Sequence, residues 1–468
     1  MTRPTLSDRF RSPAREQDAG AEVGALVAEP DGRPDVTTLQ APPPRSGLRA
    51  QVTGSGTRQA AGLAAATLVN NALQLVFTIL VTRLLGSTDY GALAALVSAF
   101  LILLVGGQAV QTAAAREVAL GRLGTAAELH HTVRMWTRTM LLATIALAVL
   151  GALLRDPLAS LIGTPEHPWG AGAIPATGAI WLLVSLQRGV LLGLHAFRPV
   201  GASIVVEAGG RLVVGGALAA VAGVTGAFIG APLAFMIVAL GLAVTLERQL
   251  GTPASGRKHR PFRTLLSDGW VPIVGLGLLA ILQNVDVIVA RHRLTEHRAG
   301  SYAVAAVAAK SVVWVAIGVG LQLLPQATRR AAAGEDPRPV LYRALAVLAA
   351  VAAPALLIFA IVPELLLRTA FGADTVDAAG ALLLLGLAMT LLAVSYLTVQ
   401  YLFALHRVRF LWLLGALAVL EIAVLFRTGV TLNAFASTVL VTQLVAAVAV
   451  LAVASRARPP SAPAPEAP

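Results

Sequence analysis

Twelve long apolar stretches, separated by short polar segments, constrain the fold of this 468-residue chain more than any other feature. Each is close to the roughly 20 residues that an α-helix needs to cross about 30 Å of hydrocarbon. Lipid offers the backbone no hydrogen-bond partners, so runs of this length predict helices. The predicted membrane spans cover residues 60–82, 90–113, 138–154, 173–195, 199–222, 225–246, 268–290, 302–324, 340–362, 378–402, 409–427 and 432–454.

The composition supports a polytopic membrane protein. Hydrophobic residues make up 56% of the chain and charged residues only 13%, with a mean hydropathy of +0.75, whereas soluble domains carry roughly 25% charged residues. A surface with so few charges must face lipid over most of its area. We therefore exclude a soluble enzyme, and we expect no nucleic-acid partner despite the net charge of +12.

The distribution of polar residues predicts the domain organisation. Segments rich in Pro and Ala, without apolar periodicity, predict disordered cytoplasmic tails at residues 1–58 and 455–468. Between them we predict an N-terminal six-helix lobe at 59–246, a basic cytoplasmic linker at 247–267 and a C-terminal six-helix lobe at 268–454.

Basic residues predict the orientation in the membrane. An even number of spans places both termini on one side. With the termini inside, the interior segments carry 26 basic residues and the exterior loops carry 7. The positive-inside rule therefore predicts that both termini are cytoplasmic.

A short motif recurs in the two predicted lobes. Leu85–Gly91 and Leu294–Gly300 share a Leu-x5-Gly pattern at an offset of 209 residues, and each joins the first and second span of its half. Internal repeats are typical of secondary transporters.

The sequence lacks several kinds of chemical motif. It contains no Cys, no GxxxxGK[ST] nucleotide-binding loop and no His set with metal-ligand spacing. We therefore predict no catalytic residues, no metal site and no cofactor. Any transport would be driven by an ion gradient, the membrane potential or the substrate's own gradient.

Ionisable side chains inside spans are the candidate site residues, because a charge in hydrocarbon usually faces a cavity or a partner. Glu207 and Arg211 are four residues apart and can pair on one helix face. Arg188 and Lys310 have no carboxylate four residues away in their own helices. Each of these two cations either finds a partner on another helix or binds an anion.

A carboxylate and several amides complete the candidate site. Asp286 either forms a salt bridge with Lys310 or binds a proton or Na⁺. Glu421, in the eleventh span, receives no assignment. Polar amides on the first and seventh helices either line a cavity or bond between helices; they are Asn70, Asn71, Gln74 and Asn284.

Several segments resemble one known family, the polysaccharide exporters and oligosaccharide flippases of the multidrug/oligosaccharidyl-lipid/polysaccharide (MOP) superfamily. Asn71–Gly91 (NALQLVFTILVTRLLGSTDYG) resembles their first-helix signature, and Gln111–Ala119 resembles the end of their second helix. Similar matches occur at Asn284–Tyr302, at Leu323–Pro325 and at Leu367–Gly372. The chain departs from the peptidoglycan-precursor flippases in its long N-terminal tail and in having twelve rather than fourteen helices.

The resemblance implies a fold and a function. The implied fold is all-α and MATE-like, with two six-helix lobes around a central cavity. The implied substrate is an oligosaccharide on a polyprenyl diphosphate, moved across the cytoplasmic membrane of a bacterium for surface polysaccharide biosynthesis. In this interpretation Arg188, Arg211 and Lys310 contact the anion, while Glu207 and Asp286 balance charge or couple transport to H⁺ or Na⁺. Proteins of glycan assembly are the expected partners.

Two other functions remain open from the sequence. One is a cation-coupled exporter of drugs or small molecules from the same superfamily. The other is a membrane enzyme of envelope glycan assembly, either a glycosyltransferase or a polymerase/ligase. The predicted external loops are short and poor in carboxylates, which disfavours an enzyme.

Overall fold

The computed structural model describes residues 55–123, 126–251, 270–405 and 407–457. Most of both predicted tails and most of the predicted basic linker lie outside these residues. The described part is helical throughout and contains no strand.

The N-terminal half contains six helices. A π-helical turn, Arg211–Gly215, joins the last two of them. The helices are α1 (Ser55–Ala119), α2 (Ala126–Leu153), α3 (Arg155–Ile162), α4 (Pro168–Gly193), α5 (Phe197–Gly210) and α6 (Gly216–Leu250).

The C-terminal half contains seven helices. A 3₁₀ turn, Ala373–Ala378, precedes the fifth of them. The helices are α7 (Trp270–Arg293), α8 (Glu296–Ala332), α9 (Arg338–Ile361), α10 (Pro363–Ala370), α11 (Ala379–Ala404), α12 (Phe410–Leu425) and α13 (Leu432–Arg456).

Two glycines divide long helices into separate spans. Gly86 has φ 76° and ψ 173° inside α1, and Gly223 has φ 56° and ψ −138° inside α6. Side chains disfavour these backbone conformations, whereas glycine adopts them at little cost. When α1 and the continuous run Phe197–Leu250, which contains α5, the π-helical turn and α6, are each counted as two spans and the shorter apolar α12 is included, the described residues contain twelve spans. The predicted all-α fold of about twelve membrane helices is confirmed.

The two halves repeat the same order of elements. The two-span helix α1 corresponds to α7 and α8 together, and the next helices, α2 and α9, begin at Ala126 and Arg338, 212 residues apart. The short helices that follow them, α3 and α10, begin at Arg155 and Pro363, 208 residues apart. These offsets are close to the 209 residues seen in the Leu-x5-Gly motif, so the repeat extends beyond the motif to the helices that follow it. Both short helices lie where external loops were predicted.

Each lobe packs around one buried helix. In the N-terminal lobe α4 packs against α1, α2 and α6, and in the C-terminal lobe α11 packs against α8, α9 and α13. Large apolar side chains cover the outer faces; Trp412 and Val221, for example, are both 86% exposed. Such faces suit a lipid environment. The lobes meet mainly through contacts of α1 with α7 and α8.

Candidate functional site

A cavity of about 440 Å³ lies between the lobes. Its walls come from α1, α4, α5, the π-helical turn and α6 on one side and from α7, α8 and α11 on the other. This volume lies within the range of roughly 300–1,000 Å³ typical of ligand sites. The central cavity therefore satisfies the expectation of a hollow between two halves.

Arg211 supplies a cation to the N-terminal wall of the cavity. It is the first residue of the π-helical turn, a type of irregularity often found at functional sites. Its Nη1 donates to Oε1 of Gln74 at 3.1 Å, and its guanidinium lies 4.9 Å from the ring centre of Phe77. Its Nε is buried without a hydrogen-bond partner among the described residues. The side chain thus keeps a free donor beside the cavity.

Arg188 lies behind this wall. Its Nη2 donates to Oε2 of Glu207 at 2.7 Å and its Nε donates to Oγ of Ser203 at 2.9 Å. Arg188 is 4% exposed and does not line the cavity, whereas Glu207 does. The spacing of Glu207 and Arg211 allowed a pair within one helix, but the structure pairs Glu207 with Arg188. Because Arg188 neutralises Glu207, Arg211 remains as excess positive charge on this wall.

Lys310 supplies a cation from the opposite lobe. Its Nζ donates to Oδ1 of Asn284 at 3.2 Å and lies 3.8 Å from Oδ1 of Asp286. Asp286 is fully buried behind the cavity and accepts a hydrogen bond of 2.8 Å from the Tyr302 hydroxyl. Of the two alternatives considered for Asp286, the geometry shows the contact with Lys310. The role of Asp286 in coupling transport to an ion stays a prediction.

Glu421, which the sequence left unassigned, lies fully buried in the C-terminal lobe. Gln443 of α13 donates to its Oε1 at 3.1 Å and also donates to the Leu282 carbonyl oxygen at 3.0 Å. The partner follows Glu421 by 22 residues on another helix, so spacing within α12 could not reveal it.

The predicted amides lie on the cavity wall. Asn70 donates to Oδ1 of Asn71 at 3.2 Å, and Asn284 donates to the Ala280 carbonyl oxygen at 2.9 Å. Seven of the nine predicted site residues line the cavity, and Arg188 and Asp286 lie behind it. Their roles in binding or coupling remain predictions.

The sequence interpretation missed the aromatic part of the lining. Tyr90, Trp181, Trp314 and Tyr396 all border the cavity. Trp181 anchors α4 by donating from Nε1 to the Leu104 carbonyl oxygen at 2.9 Å. An aromatic residue in an apolar span usually packs in the core, so no sequence signal separates these four from core residues.

Hydrogen bonds between the lobes close one end of the cavity, where the exterior loops were predicted. Arg83 donates to the Thr369 carbonyl oxygen at 2.6 Å, and Ser87 Oγ lies 3.0 Å from Nδ1 of His297. Arg291 donates to the Gly163 carbonyl oxygen at 3.1 Å and forms an ion pair with Glu166.

The backbones of the two repeat motifs touch at the same end. A Cβ on Gly300 would lie 1.8 Å from the Ser87 carbonyl oxygen, and a Cβ on Gly91 would lie 2.9 Å from the Gly300 Cα. We call this set of contacts between the lobes the outer contact; it comprises Arg83, Ser87, Gly91, Gly163, Glu166, Arg291, His297, Gly300 and Thr369.

Comparison with known proteins identifies the class to which this fold and cavity belong. The family model described as "Polysaccharide biosynthesis protein" matches residues 57–319. An inward-facing multidrug resistance MATE family transporter of the MOP superfamily aligns with a TM-score of 0.68 and 14% identity, covering 82% of this chain and 94% of that one. No curated protein sequence matches.

Two further solved structures share the fold. The lipid II flippase MurJ, in an inward closed conformation, aligns with a TM-score of 0.67 and 15% identity over 84% of this chain and 87% of that one. A MOP superfamily transporter from Pyrococcus furiosus aligns with a TM-score of 0.53 and 16% identity over 86% and 96%.

The family match covers more than half of the chain, so the protein belongs to the polysaccharide biosynthesis protein family. The fold is that of MOP superfamily transporters and flippases. The predicted family and fold are confirmed, and the described residues contain several helices long and apolar enough to cross a membrane.

Proposed function

We propose that this protein is a flippase that moves a polyprenyl-diphosphate-linked oligosaccharide across the cytoplasmic membrane of a bacterium for cell-surface polysaccharide biosynthesis. Both termini are cytoplasmic in this proposal, and proteins of glycan assembly deliver and receive the substrate. The membership of a polysaccharide biosynthesis family supports the pathway.

The observation that carries the proposal is the pair of cations on opposite walls of the central cavity. Arg211 comes from the N-terminal lobe and Lys310 from the C-terminal lobe. A diphosphate carries two phosphate groups, so one phosphate group can meet the cation of each lobe. A headgroup held in this way contacts both lobes at once.

The remaining lining suits a sugar. Amide groups of Asn70, Asn71 and Gln283 offer donors and acceptors to hydroxyls. Trp314 is 44% exposed and presents an aromatic face on which a sugar ring can pack. The exposed hydroxyls and charges of such a headgroup make unaided passage through hydrocarbon prohibitively costly. The polar and charged groups of the cavity lower that cost while the lipid tail stays in the bilayer.

Transport in this proposal follows from relative motion of the lobes. The outer contact closes one end of the cavity, so the headgroup enters from the other end, which the positive-inside rule makes cytoplasmic. Separation of the outer contact then releases it outside. In this proposal Glu207 and Asp286 either balance the charges of Arg188 and Lys310 or couple the cycle to an ion gradient by binding H⁺ or Na⁺.

The test combines deletion of the gene with complementation by variants. Deletion is expected to accumulate the completed lipid-linked oligosaccharide on the inner leaflet, and the wild-type chain restores export. Arg211→Gln removes the free cation and lowers export at equal protein level. Arg211→Lys retains the charge and keeps more activity than Arg211→Gln.

Two outcomes would overturn the proposal. One is a deletion strain with normal surface polysaccharide and no accumulated intermediate. The other is restored export of a cationic drug, with no change in lipid-linked sugars, which would assign the protein to small-molecule efflux.

A further inference from the structure

A second cavity opens on the surface of the C-terminal lobe, between α8 and α9. Its volume is about 370 Å³. We call it the α8–α9 groove; it is lined by Gly318, Val319, Leu323, Gln326, Val340, Arg343, Ala344 and Val347. Six of these eight residues are apolar, and Gln326 and Arg343 are its polar groups.

The groove and the central cavity lie on different faces of α8. Lys310 and Trp314 face the central cavity, whereas Val319 and Gln326 face the groove. At 100° per residue these two sets point away from each other. A ligand in the groove therefore packs against the helix that carries a cation of the central cavity.

Arg343 is an unpaired cation at the groove. It is exposed, and no ion pair or hydrogen bond to its side chain occurs among the described residues. Its neighbours are engaged: Arg330 pairs with Glu335 at 3.0 Å, and Arg338 donates to the Ser455 carbonyl oxygen at 3.0 Å.

The groove lies near one surface of the membrane. Arg343 lies in the second turn of α9, next to the loop at residues 333–337. Eight spans precede that loop, so it is on the same side of the membrane as the N-terminus. A cation at this depth, beside apolar side chains, meets the headgroup layer of the nearer leaflet.

We propose that the α8–α9 groove binds one anionic glycerophospholipid of the bilayer. Its phosphodiester contacts Arg343 and Gln326, and an acyl chain lies along Val319 and Val347. One cation matches the single charge of a phosphodiester, whereas the central cavity offers two cations to a diphosphate. This lipid site goes beyond the proposed function and does not depend on it.

The repeat supplies a matched control. Arg134 lies 209 residues before Arg343 and occupies the equivalent part of α2. It is exposed, and the described residues provide it with no ion pair. It lines neither the central cavity nor the α8–α9 groove. Its replacement removes an interfacial arginine without touching the groove.

The test is native mass spectrometry of the purified full chain with phosphatidylglycerol or phosphatidylcholine of identical acyl chains. The wild type is expected to retain one phosphatidylglycerol more strongly than phosphatidylcholine. Arg343→Gln weakens this retention about fivefold, the effect of one interfacial cation. Arg134→Gln leaves it unchanged.

A second variant tests the apolar part of the groove. A Cβ on Gly318 would meet no atom within 4 Å, so a side chain at this position starts in open space, and Gly318→Leu is expected to occupy the groove and abolish retention of phosphatidylglycerol. Each variant is first shown to melt like the wild type without added lipid. Arg343→Lys retains the positive charge and is expected to keep retention.

Three results would overturn the proposal. They are wild-type retention by Arg343→Gln, an equal loss in Arg134→Gln, and retention that depends on Arg343 for a polyprenyl diphosphate but not for phosphatidylglycerol. The last result would assign the groove to the transported substrate. The first two results do not bear on transport through the central cavity, and the export assay of the Arg211 variants tests that transport separately, so failure here is distinct from failure of the proposed function.

Discussion

Ion pairs buried in the membrane region connect different helices. Arg188 and Glu207 are 19 residues apart on α4 and α5, and Lys310 and Asp286 lie on α8 and α7. The sequence shows that a charge lies in a span, and the cost of isolating it predicts a partner or a cavity. Which partner it finds depends on how helices pack, and local spacing does not contain that information.

The Arg188–Glu207 pair makes a prediction about stability. Arg188→Met leaves Glu207 buried without its counter-ion, which costs about 3–5 kcal/mol. We expect a lower melting temperature in detergent, measured by intrinsic fluorescence. Glu207→Leu in the Arg188→Met background removes the isolated charge and is expected to recover most of the loss. If Arg188→Met alone were as stable as the wild type, the assignment of this ion pair would be contradicted.

At the scale of elements, glycines determine where helices break and where the lobes touch. Gly86 and Gly223 adopt positive φ at the boundary between spans, and Gly91 meets Gly300 at the outer contact. The lengths of the apolar runs predict the number of spans well, because the thickness of the hydrocarbon layer sets the length of each span. It predicts the short helices α3 and α10 poorly, since eight residues are too few for a clear pattern.

The Gly91–Gly300 approach makes a prediction about conformation. Gly300→Ala places a Cβ against the Ser87 carbonyl oxygen, at 1.8 Å in the present geometry, so the outer contact must open. The chain has no cysteine, and a single cysteine at Trp314 therefore reports access to the cavity. We expect Gly300→Ala to increase its labelling by a reagent added outside.

A matched glycine provides the control for that measurement. A Cβ on Gly277 of α7 would meet no atom within 4 Å. Gly277→Ala is therefore expected to label like the parent. Equal labelling of Gly300→Ala and the parent would show that the outer contact does not control access.

At the scale of the whole molecule, two lobes with the same order of elements enclose a cavity in which polar and charged side chains are set among apolar ones. The family resemblance and the repeat at one offset predict this architecture from sequence. Seven predicted polar or charged residues line the cavity because polar groups in a span avoid lipid. Trp314 and Tyr396 were not predicted, since aromatic residues are equally suited to core and cavity.

Reconstitution into proteoliposomes tests the central claim most directly. The substrate is a fluorescent oligosaccharide on a polyprenyl diphosphate, and a membrane-impermeant quencher reports how fast it changes leaflets. The control is Arg134→Gln/Arg138→Gln, which removes two exposed arginines of α2 that do not line the cavity.

The wild type and this control are predicted to move the substrate rapidly. Arg211→Gln/Lys310→Gln is predicted to slow it by at least on the order of a hundredfold, since each hydrogen bond to a charged group contributes roughly 1.5–3 kcal/mol. Movement at the wild-type rate by Arg211→Gln/Lys310→Gln would contradict the account.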